Sequence, residues 1–370
     1  MRPTALILGG TGAMGGYLVE LLAEKYEVIV TSRSHRESEN AHVSFLQGNA
    51  KNLEFLEETV RSKTFDVVVD FMVHDASNFS QVIDLMLAHT HQYFFISSAR
   101  VYADSKTPIT EESPRLLDVS QDQEYLGTQE YALSKAREEN VLFAKKEQGQ
   151  KNFTIIRPSL TYSSQRLQLG VLEKENWLMR ALDGRPIVFS KDLMDKHYTM
   201  TTGRDVAKGI AALCGQQKAL GEAYHIVQAK SYSWREILQV YLDTLEEQTG
   251  KRPDVFFTEK STNLMFKNRR YQVMYGRYFD RYFDNSKISE FIDTTQFEDP
   301  KQGLRDCLTK FLKDPKFMGT DWPVEAMNDR VSGCFTPLSK IKGARKIQYL
   351  CYRMNWKWPL KLLGQYQILE

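Results

Sequence analysis

The sequence lacks the features that mark a nucleic-acid-binding, membrane-spanning or disulfide-stabilised protein. Its 370 residues carry a net charge of only +2, so no global charge points to nucleic acid or to a membrane surface. No apolar run reaches the ~18 residues that a membrane span needs. The four cysteines are scattered without a C-x-x-C pair, which indicates reduced thiols rather than a disulfide frame or a zinc site. The first predicted strand starts at about Thr4, so we expect no signal peptide and a cytoplasmic location.

A glycine-rich turn near the amino terminus is the strongest motif in the chain. A short apolar run, Ala5 to Leu8, predicts a buried parallel strand before the turn, and spaced apolar residues predict a helix after it. In this setting glycines let the backbone approach a pyrophosphate, and the helix N-terminus attracts its charge. The alternative is an ordinary strand-to-helix turn. The predicted cofactor contacts in the turn are Gly9, Thr11, Gly12, Ala13, Met14 and Gly15.

The residues after the second predicted strand indicate which dinucleotide is bound. NAD-binding units usually carry an Asp or Glu there, which accepts hydrogen bonds from the adenosine ribose. This chain has Ser32 and Arg33 instead, and Arg33 together with Arg36 could pair with a 2′-phosphate. NADP is therefore favoured over NAD. The alternative is that both arginines are solvated side chains of a surface loop.

Apolar runs rich in β-branched residues alternate with helical patterns over the first 160 residues. This alternation predicts a Rossmann-type α/β fold, a doubly wound parallel sheet with helices on both faces. The length allows a smaller C-terminal α/β lobe for the substrate. We expect the dinucleotide-binding domain at 1–160, with segments from about 190–230 returning to it. We place most of the substrate lobe at 161–314 and an extension of unknown role at 315–370.

Two stretches carry groups that can act in catalysis. Ser98 follows the fifth predicted strand, and ligands bind at the carboxyl edge of an open parallel sheet. Tyr131 and Lys135 lie four residues apart in a helix predicted from about Glu124 to Lys146, so they share one face. A solvated surface pair is the alternative for that spacing.

The histidines do not have a recognisable ligand spacing. We interpret His74, His89 and His91 as ordinary loop and surface residues rather than metal ligands. His197 precedes a polar strand or loop, and a structural role is favoured over a substrate contact there.

The glycine turn, Ser98 followed by Ala99 to Tyr102, and the Tyr131-x-x-x-Lys135 pair together resemble the extended short-chain dehydrogenases/reductases. The resemblance is closest to the NAD(P)-dependent epimerase/dehydratase branch, which acts on nucleotide sugars, and it extends over residues 3–314. It implies that Tyr131 is the acid/base, that Lys135 favours its phenolate, and that Ser98 binds the reacting oxygen. The further contacts that it implies are Ser32, Asn49, Tyr131, Lys135 and Pro158 for the cofactor, and Ser98, Arg100, Tyr131 and Arg281 for the substrate.

Departures from the family pattern bear on which reaction this chain is expected to catalyse. Asn49 stands where many members carry an Asp that contacts the adenine, and Tyr162-Ser163-Ser164 replaces a Tyr-Gly-Pro in the substrate loop. Sugar dehydratases carry an Asp-Glu pair after the serine, because dehydration needs an acid and a base. Ala99 and Arg100 occupy those positions here, which argues against 4,6-dehydration.

Basic and aromatic residues interleave in two late segments. From Phe266 to Tyr282 this composition suits the diphosphate and base of a nucleotide sugar, RNA, or packing against the first domain. The tail beyond Pro315 suits packing on its own domain or in a homodimer, or contact with an anionic membrane surface or a partner. The intact Ser98, Tyr131 and Lys135 favour an enzyme over a non-catalytic NADP sensor or an RNA-binding member of the superfamily.

Overall fold

Parallel strands separated by helices form the amino-terminal part of the chain. The structure, a computed structural model, describes residues 2–61, 63–74, 76–264, 269–356 and 358–359, and of residues 76, 77, 263 and 264 it describes the backbone alone. The strands of the described residues are β1 Thr4–Leu8, β2 Glu27–Ser32, β3 Val43–Gln47, β4 Phe65–Asp70, β5 Thr90–Ile96, β6 Phe153–Pro158, β7 Leu160–Tyr162, β8 Ile187–Ser190, β9 His197–Tyr198, β10 Met200–Thr202, β11 Glu222–Ile226, β12 Tyr232–Ser233 and β13 Val255–Thr258.

The helices connect these strands and also form most of the carboxyl-terminal part. They are α1 Gly15–Ala23, α2 Leu53–Val60, α3 Ala76–Ala88, α4 Leu116–Val119, α5 Gln123–Leu126, α6 Tyr131–Glu147, α7 Lys174–Leu182, α8 Gly203–Leu213, α9 Trp234–Thr249, α10 Arg270–Gln272, α11 Ser286–Ser289, α12 Pro300–Lys313, α13 Trp322–Val331 and α14 Arg345–Arg353. Lys267, predicted in the first basic and aromatic segment, and Lys357, Leu360, Lys361 and Leu362 of the tail lie outside the described residues.

Seven strands form one parallel sheet in the order β11-β6-β5-β4-β1-β2-β3. The chain runs from β1 to β2 and β3 and then returns to the other side of β1 as β4. The glycine turn after β1 therefore lies at the point where the strand order reverses, which is where ligands bind in such sheets. The predicted doubly wound parallel sheet is confirmed.

Both faces of this sheet are covered, as the apolar composition of its strands predicts. One hydrophobic cluster packs α1 and α8 against the sheet and contains Leu18 and Leu22 of the predicted helix face. The cluster on the other face packs α2, α3 and α6 and contains Leu56, Ile83 and Leu142. The core thus fixes β1, β4 and β5, whose carboxyl ends carry the candidate site.

The chain packs into two units. The first runs to Tyr162 and includes Thr199–Ser231 and Arg281–Pro300, and the second contains Ser163–Tyr198, Tyr232–Asp280 and the chain from Lys301 onward. The second unit has short two-stranded sheets, including β8 with β13, and the helices α7, α9, α13 and α14. The functions assigned to the domains from the sequence stay predictions.

Candidate active site

The glycine turn after β1 has the backbone geometry that its sequence predicts. Gly9 has a φ of +71°, which L side chains rarely adopt, and its N–H donates to the Thr31 hydroxyl over 3.0 Å. At Gly15 an added Cβ would lie 2.7 Å from the backbone of Gly10. Only glycine at this position lets α1 begin so close to the strand.

The outer side of the turn has room for a phosphate-bearing ligand. Thr11 and Gly12 are exposed, and an added Cβ at Gly12 would meet no atom of the described chain within 4 Å. The N-terminus of α1, next to Ala13 and Met14, supplies the positive end of a helix dipole. The turn therefore fits a pyrophosphate.

Gly203 supports the turn through a contact that the sequence did not reveal. It is the first residue of α8, and a Cβ there would overlap the carbonyl oxygen of Ala13. The absence of a side chain lets α8 pack directly against the turn.

The residues predicted to hold the adenosine end lie after β2 and β3, which are neighbours in the sheet. Ser32 is buried, whereas Arg33 and Arg36 are exposed. Among the described residues neither guanidinium has an ion-pair partner, so both are available to an anion. Asn49 is also exposed, and its side-chain oxygen accepts from the N–H of Lys51 over 3.2 Å.

Helix α6 begins at Tyr131, so the helix predicted from Glu124 is wrong at its start. The backbone of Glu130 is extended, with a ψ of 145°, and its carboxylate caps the helix by accepting from the Ala132 N–H over 2.8 Å. Tyr131 is therefore in the first turn and is 43% exposed. In the part of the chain that the structure describes, its hydroxyl makes no hydrogen bond. Lys135, one turn further on, is only 2% exposed.

Arg100 lies beside Tyr131, in the turn that Ser98 begins. Ser98 follows β5, and its Oγ accepts from the Arg100 N–H over 3.2 Å. The Arg100 guanidinium lies 5.8 Å from the centre of the Tyr131 ring and donates to Glu130 over 2.7 Å. Its Nε is buried and has no hydrogen-bond partner among the described residues. The structure thus brings the predicted Arg100 and Tyr131 together, and Ser98 begins the turn that carries Arg100.

Lys135 lies in a buried cluster of charged groups. Its Nζ donates to Glu138 over 2.9 Å and lies 4.6 Å from the centre of the Phe95 ring on β5. Burial raises the pKa of the Glu138 carboxyl, and the Lys135 ammonium offsets part of that rise. An ammonium has three hydrogens to donate, so the contact with Glu138 leaves Lys135 able to bind a second group.

His74 belongs to the same cluster. It lies in a loop, as predicted, but it is buried, so its prediction as a surface residue is wrong. Its ring is 3% exposed, and its Nε2 lies 2.7 Å from Asp70, which also accepts from the Tyr93 hydroxyl over 2.8 Å. Burial lowers the pKa of His74, but the charge and hydrogen bond of Asp70 raise it more, so the net shift is upward. The sequence signal for this pair is the i, i+4 spacing of Asp70 and His74 at the end of a strand.

Pro158 and Arg281 have well-defined positions, and their predicted ligand contacts stay predictions. Pro158 is the last residue of β6 and is buried. Arg281 is 1% exposed, and its guanidinium donates to the carbonyl oxygens of Tyr102 and Ala103 over 3.0 and 3.1 Å. It therefore has a structural contact already.

His197 lies in the second unit, where its N–H donates to Asp280 over 2.7 Å.

The described residues have neither a metal-ligand cluster nor a disulfide bond. They contain no group of three or more His, Cys, Asp or Glu side chains arranged to hold a metal ion. All four cysteines are free thiols. No helix in the described part of the chain has the length and apolar character of a membrane span.

Comparisons with known proteins identify the family of this chain. A family model described as the NAD dependent epimerase/dehydratase family matches residues 5–227. No significant match was found among curated proteins.

Solved structures of nucleotide-sugar enzymes have the same fold. UDP-glucuronic acid 4-epimerase from Bacillus cereus, solved with UDP-glucuronic acid and NAD, is 16% identical with a TM-score of 0.62, covering 85% of this chain and 100% of its own. UDP-N-acetylglucosamine 4-epimerase from Methanobrevibacter ruminantium, solved with UDP-N-acetylmuramic acid, is 14% identical with a TM-score of 0.63, covering 85% and 99%. dTDP-glucose 4,6-dehydratase from Bacillus anthracis, solved with NAD, is 19% identical with a TM-score of 0.61, covering 84% and 97%.

Proposed function

Because this chain belongs to the NAD dependent epimerase/dehydratase family, we propose that it is an epimerase or reductase acting on a nucleotide-activated sugar. It would transfer hydride between a nicotinamide cofactor and a hydroxyl or keto carbon of the sugar. One observation carries the proposal: the exposed phenol of Tyr131 lies one helical turn from the buried ammonium of Lys135 and beside the turn that holds Ser98. A tyrosine and a lysine with only a structural role would not require that the ammonium be buried while the phenol is exposed.

The chain has the groups that a dinucleotide needs. The glycine turn and the N-terminus of α1 would hold the pyrophosphate, because Gly12 is open and the helix dipole favours an anion. Residues after β2 and β3 would contact the adenosine, and Lys135 would contact the nicotinamide ribose. The bound nicotinamide supplies the hydride acceptor or donor.

Tyr131 would move the proton that accompanies the hydride. When a sugar hydroxyl is oxidised to a ketone, its proton must leave, and the phenolate oxygen is the acceptor on this helix face. The Arg100 guanidinium lies 5.8 Å from the centre of the Tyr131 ring.

Ser98 and Arg100 would orient the reacting part of the sugar. The Ser98 Oγ accepts from the Arg100 N–H, so its own hydrogen remains available to the reacting oxygen. The buried Nε of Arg100 is a second donor without a partner among the described residues. The lack of carboxylates at Ala99 and Arg100 supports epimerisation or reduction over 4,6-dehydration.

NADP is the cofactor that we propose, although the family is NAD-dependent. Arg33 and Arg36 are exposed directly after β2, where an acidic residue would repel a 2′-phosphate. We expect Arg33→Asp to shift the ratio of NADP to NAD affinities toward NAD by at least about tenfold, because a charge-assisted hydrogen bond is lost. Titration of the protein with each cofactor, followed by fluorescence, measures the ratio. An unchanged ratio would remove Arg33 from the phosphate site.

A screen of nucleotide sugars tests the proposed function. The protein is incubated with UDP-, dTDP- and GDP-sugars and each nicotinamide cofactor, while absorbance of the reduced cofactor and the stereochemistry of the product are followed. Net oxidation of NADPH indicates a reductase, and a changed sugar stereocentre without net oxidation indicates an epimerase. Cofactor binding without turnover of any sugar would favour a non-catalytic sensor. Binding of RNA instead of nucleotide sugars would favour an RNA-binding role.

The cytoplasmic location and the homodimer stay predictions.

A further inference from the structure

The carboxyl-terminal part of the chain carries a one-sided charge. From Arg330 to Leu369 the sequence has eight lysines and arginines and no aspartate or glutamate. The eight are Arg330, Lys340, Lys342, Arg345, Lys346, Arg353, Lys357 and Lys361. The whole protein has a net charge of only +2, so this segment is strongly basic against a nearly neutral background.

Helix α14 in this segment has two different faces. Tyr349 and Tyr352 are buried, and the Tyr349 hydroxyl donates to the carboxylate of Asp329 on α13 over 2.8 Å. On the opposite face Ile347 is 62% exposed and Met354 is 53% exposed, seven residues apart and therefore on one side of the helix. The inner face thus anchors α14 in the second unit. The outer side therefore exposes two apolar side chains, Ile347 and Met354, next to the charged Arg345 and Lys346.

The cations and tryptophans next to this face are also exposed. Lys342, Arg345 and Lys346 precede or begin α14, and none has an ion-pair partner among the described residues. Trp356 and Trp358 follow the helix and are 51% and 73% exposed. We define the tail surface by six exposed residues, which are Lys342, Arg345, Lys346, Ile347, Met354 and Trp358.

We propose that the tail surface docks this protein on an anionic lipid membrane. Exposed aliphatic side chains beside unpaired cations and tryptophans are typical of helices that lie in the membrane interface. The cations attract anionic headgroups, and the apolar side chains enter the boundary of the acyl chains. With nine residues α14 lies on the surface, because a span needs about 20.

Charge and side-chain type favour a membrane over other anionic partners. RNA would be bound through cations and stacking aromatic rings, and it would leave Ile347 and Met354 in water. A lipid surface satisfies the cations and the aliphatic side chains together. This proposal does not depend on the reaction that the first unit performs.

Vesicle sedimentation with the full chain tests the proposal. We expect binding to phosphatidylcholine vesicles that contain one third phosphatidylglycerol, little binding to phosphatidylcholine alone, and release at high salt. Lys342→Glu with Lys346→Glu should lower the partition coefficient more than tenfold, because each lost cation contributes about fivefold. Ile347→Ser with Trp358→Ser should also lower it. These side chains are exposed, so the variants should fold as the wild type does.

Matched variants in the first unit serve as controls. Lys25→Glu with Lys106→Glu makes the same charge change, and Val119→Ser removes another exposed apolar side chain. Both controls should bind vesicles as the wild type does. Equal binding to both vesicle types, or equal loss in tail and control variants, would overturn the proposal. RNA binding or self-association that the tail variants abolish, without vesicle binding, would overturn it in favour of those partners.

Discussion

Two adjacent carboxylates on α6 have opposite surroundings. Glu139 accepts from Arg157 through both Nε and Nη2 over 2.8 Å, from the Ser97 hydroxyl over 2.6 Å, and from Arg115 over 3.2 Å. Glu138 accepts one hydrogen bond among the described residues, from Lys135. Both are buried, so burial alone does not distinguish their roles.

The difference shows which side of α6 is structural and which is available for chemistry. Arg157 on β6 also donates to the Tyr102 hydroxyl and the Glu111 carbonyl oxygen, each over 3.0 Å, so the Glu139 side is a saturated link between helix, sheet and loops. On the Glu138 side, the Lys135 ammonium retains hydrogens for a ligand. A saturated ionic network holds a fold, whereas an unsaturated one next to an exposed phenol can serve a reaction.

The largest expected effect is the loss of stability in Glu139→Gln. A glutamine amide cannot accept on its nitrogen, so some of the four donors would face another donor and the Arg157 charge would stay buried without its counterion. We expect a loss of about 3–5 kcal/mol in the free energy of unfolding, measured by urea denaturation. Glu138→Gln is the matched control and should lose less, because its amide oxygen can still accept the single hydrogen bond from Lys135, whereas Glu139 accepts four. Equal losses in the two variants would contradict the comparison.

Glu138→Gln should instead affect turnover. Without the carboxylate charge the Lys135 ammonium is less firmly placed, and small displacements of a catalytic group cost roughly tenfold to a hundredfold in rate. We expect kcat to fall and the KM for the sugar to stay close to that of the wild type. Steady-state kinetics on the substrate found in the screen measures both. A fall in melting temperature with unchanged kcat would assign Glu138 a purely structural role.

The smallest expected effect is the pH dependence of the stability that His74 contributes. Its pKa is raised in the folded protein above the unfolded value of about 6.5, so the protonated His74–Asp70 pair stabilises the fold fully below that pH. That contribution is lost as pH rises through the folded-state pKa. His74→Gln keeps a donor to Asp70 but cannot be protonated, so its stability deficit should shrink between pH 6 and alkaline pH. A deficit that stays constant in urea titrations across this range would show that folding does not change the pKa of His74.

The fold was predictable because its signals are local. The apolar run before Gly9, the glycine spacing and the alternation of strands and helices specify the sheet without any tertiary information. The positions of Ser98, Tyr131 and Lys135 followed from the same kind of pattern. Their chemical roles remain the proposal above.

The surroundings of the site could not be read from the sequence, because they arise from residues that are distant along the chain. The start of α6 depends on the extended backbone of Glu130, which Arg100 holds from the turn after β5. The burial of His74 depends on β5 and α6 packing over the end of β4. Gly203 packs against Ala13, which lies 190 positions earlier in the chain (203 minus 13).

The most direct test of the account is the turnover of Tyr131→Phe. We expect the rate of sugar conversion to fall by about 10²–10⁴-fold, because the acid/base is removed, while the dissociation constant of the cofactor stays close to that of the wild type. Both are measured on one preparation, by product analysis and by cofactor titration. Conversion at the wild-type rate with normal cofactor binding would contradict the assignment of Tyr131 as the group that moves the proton.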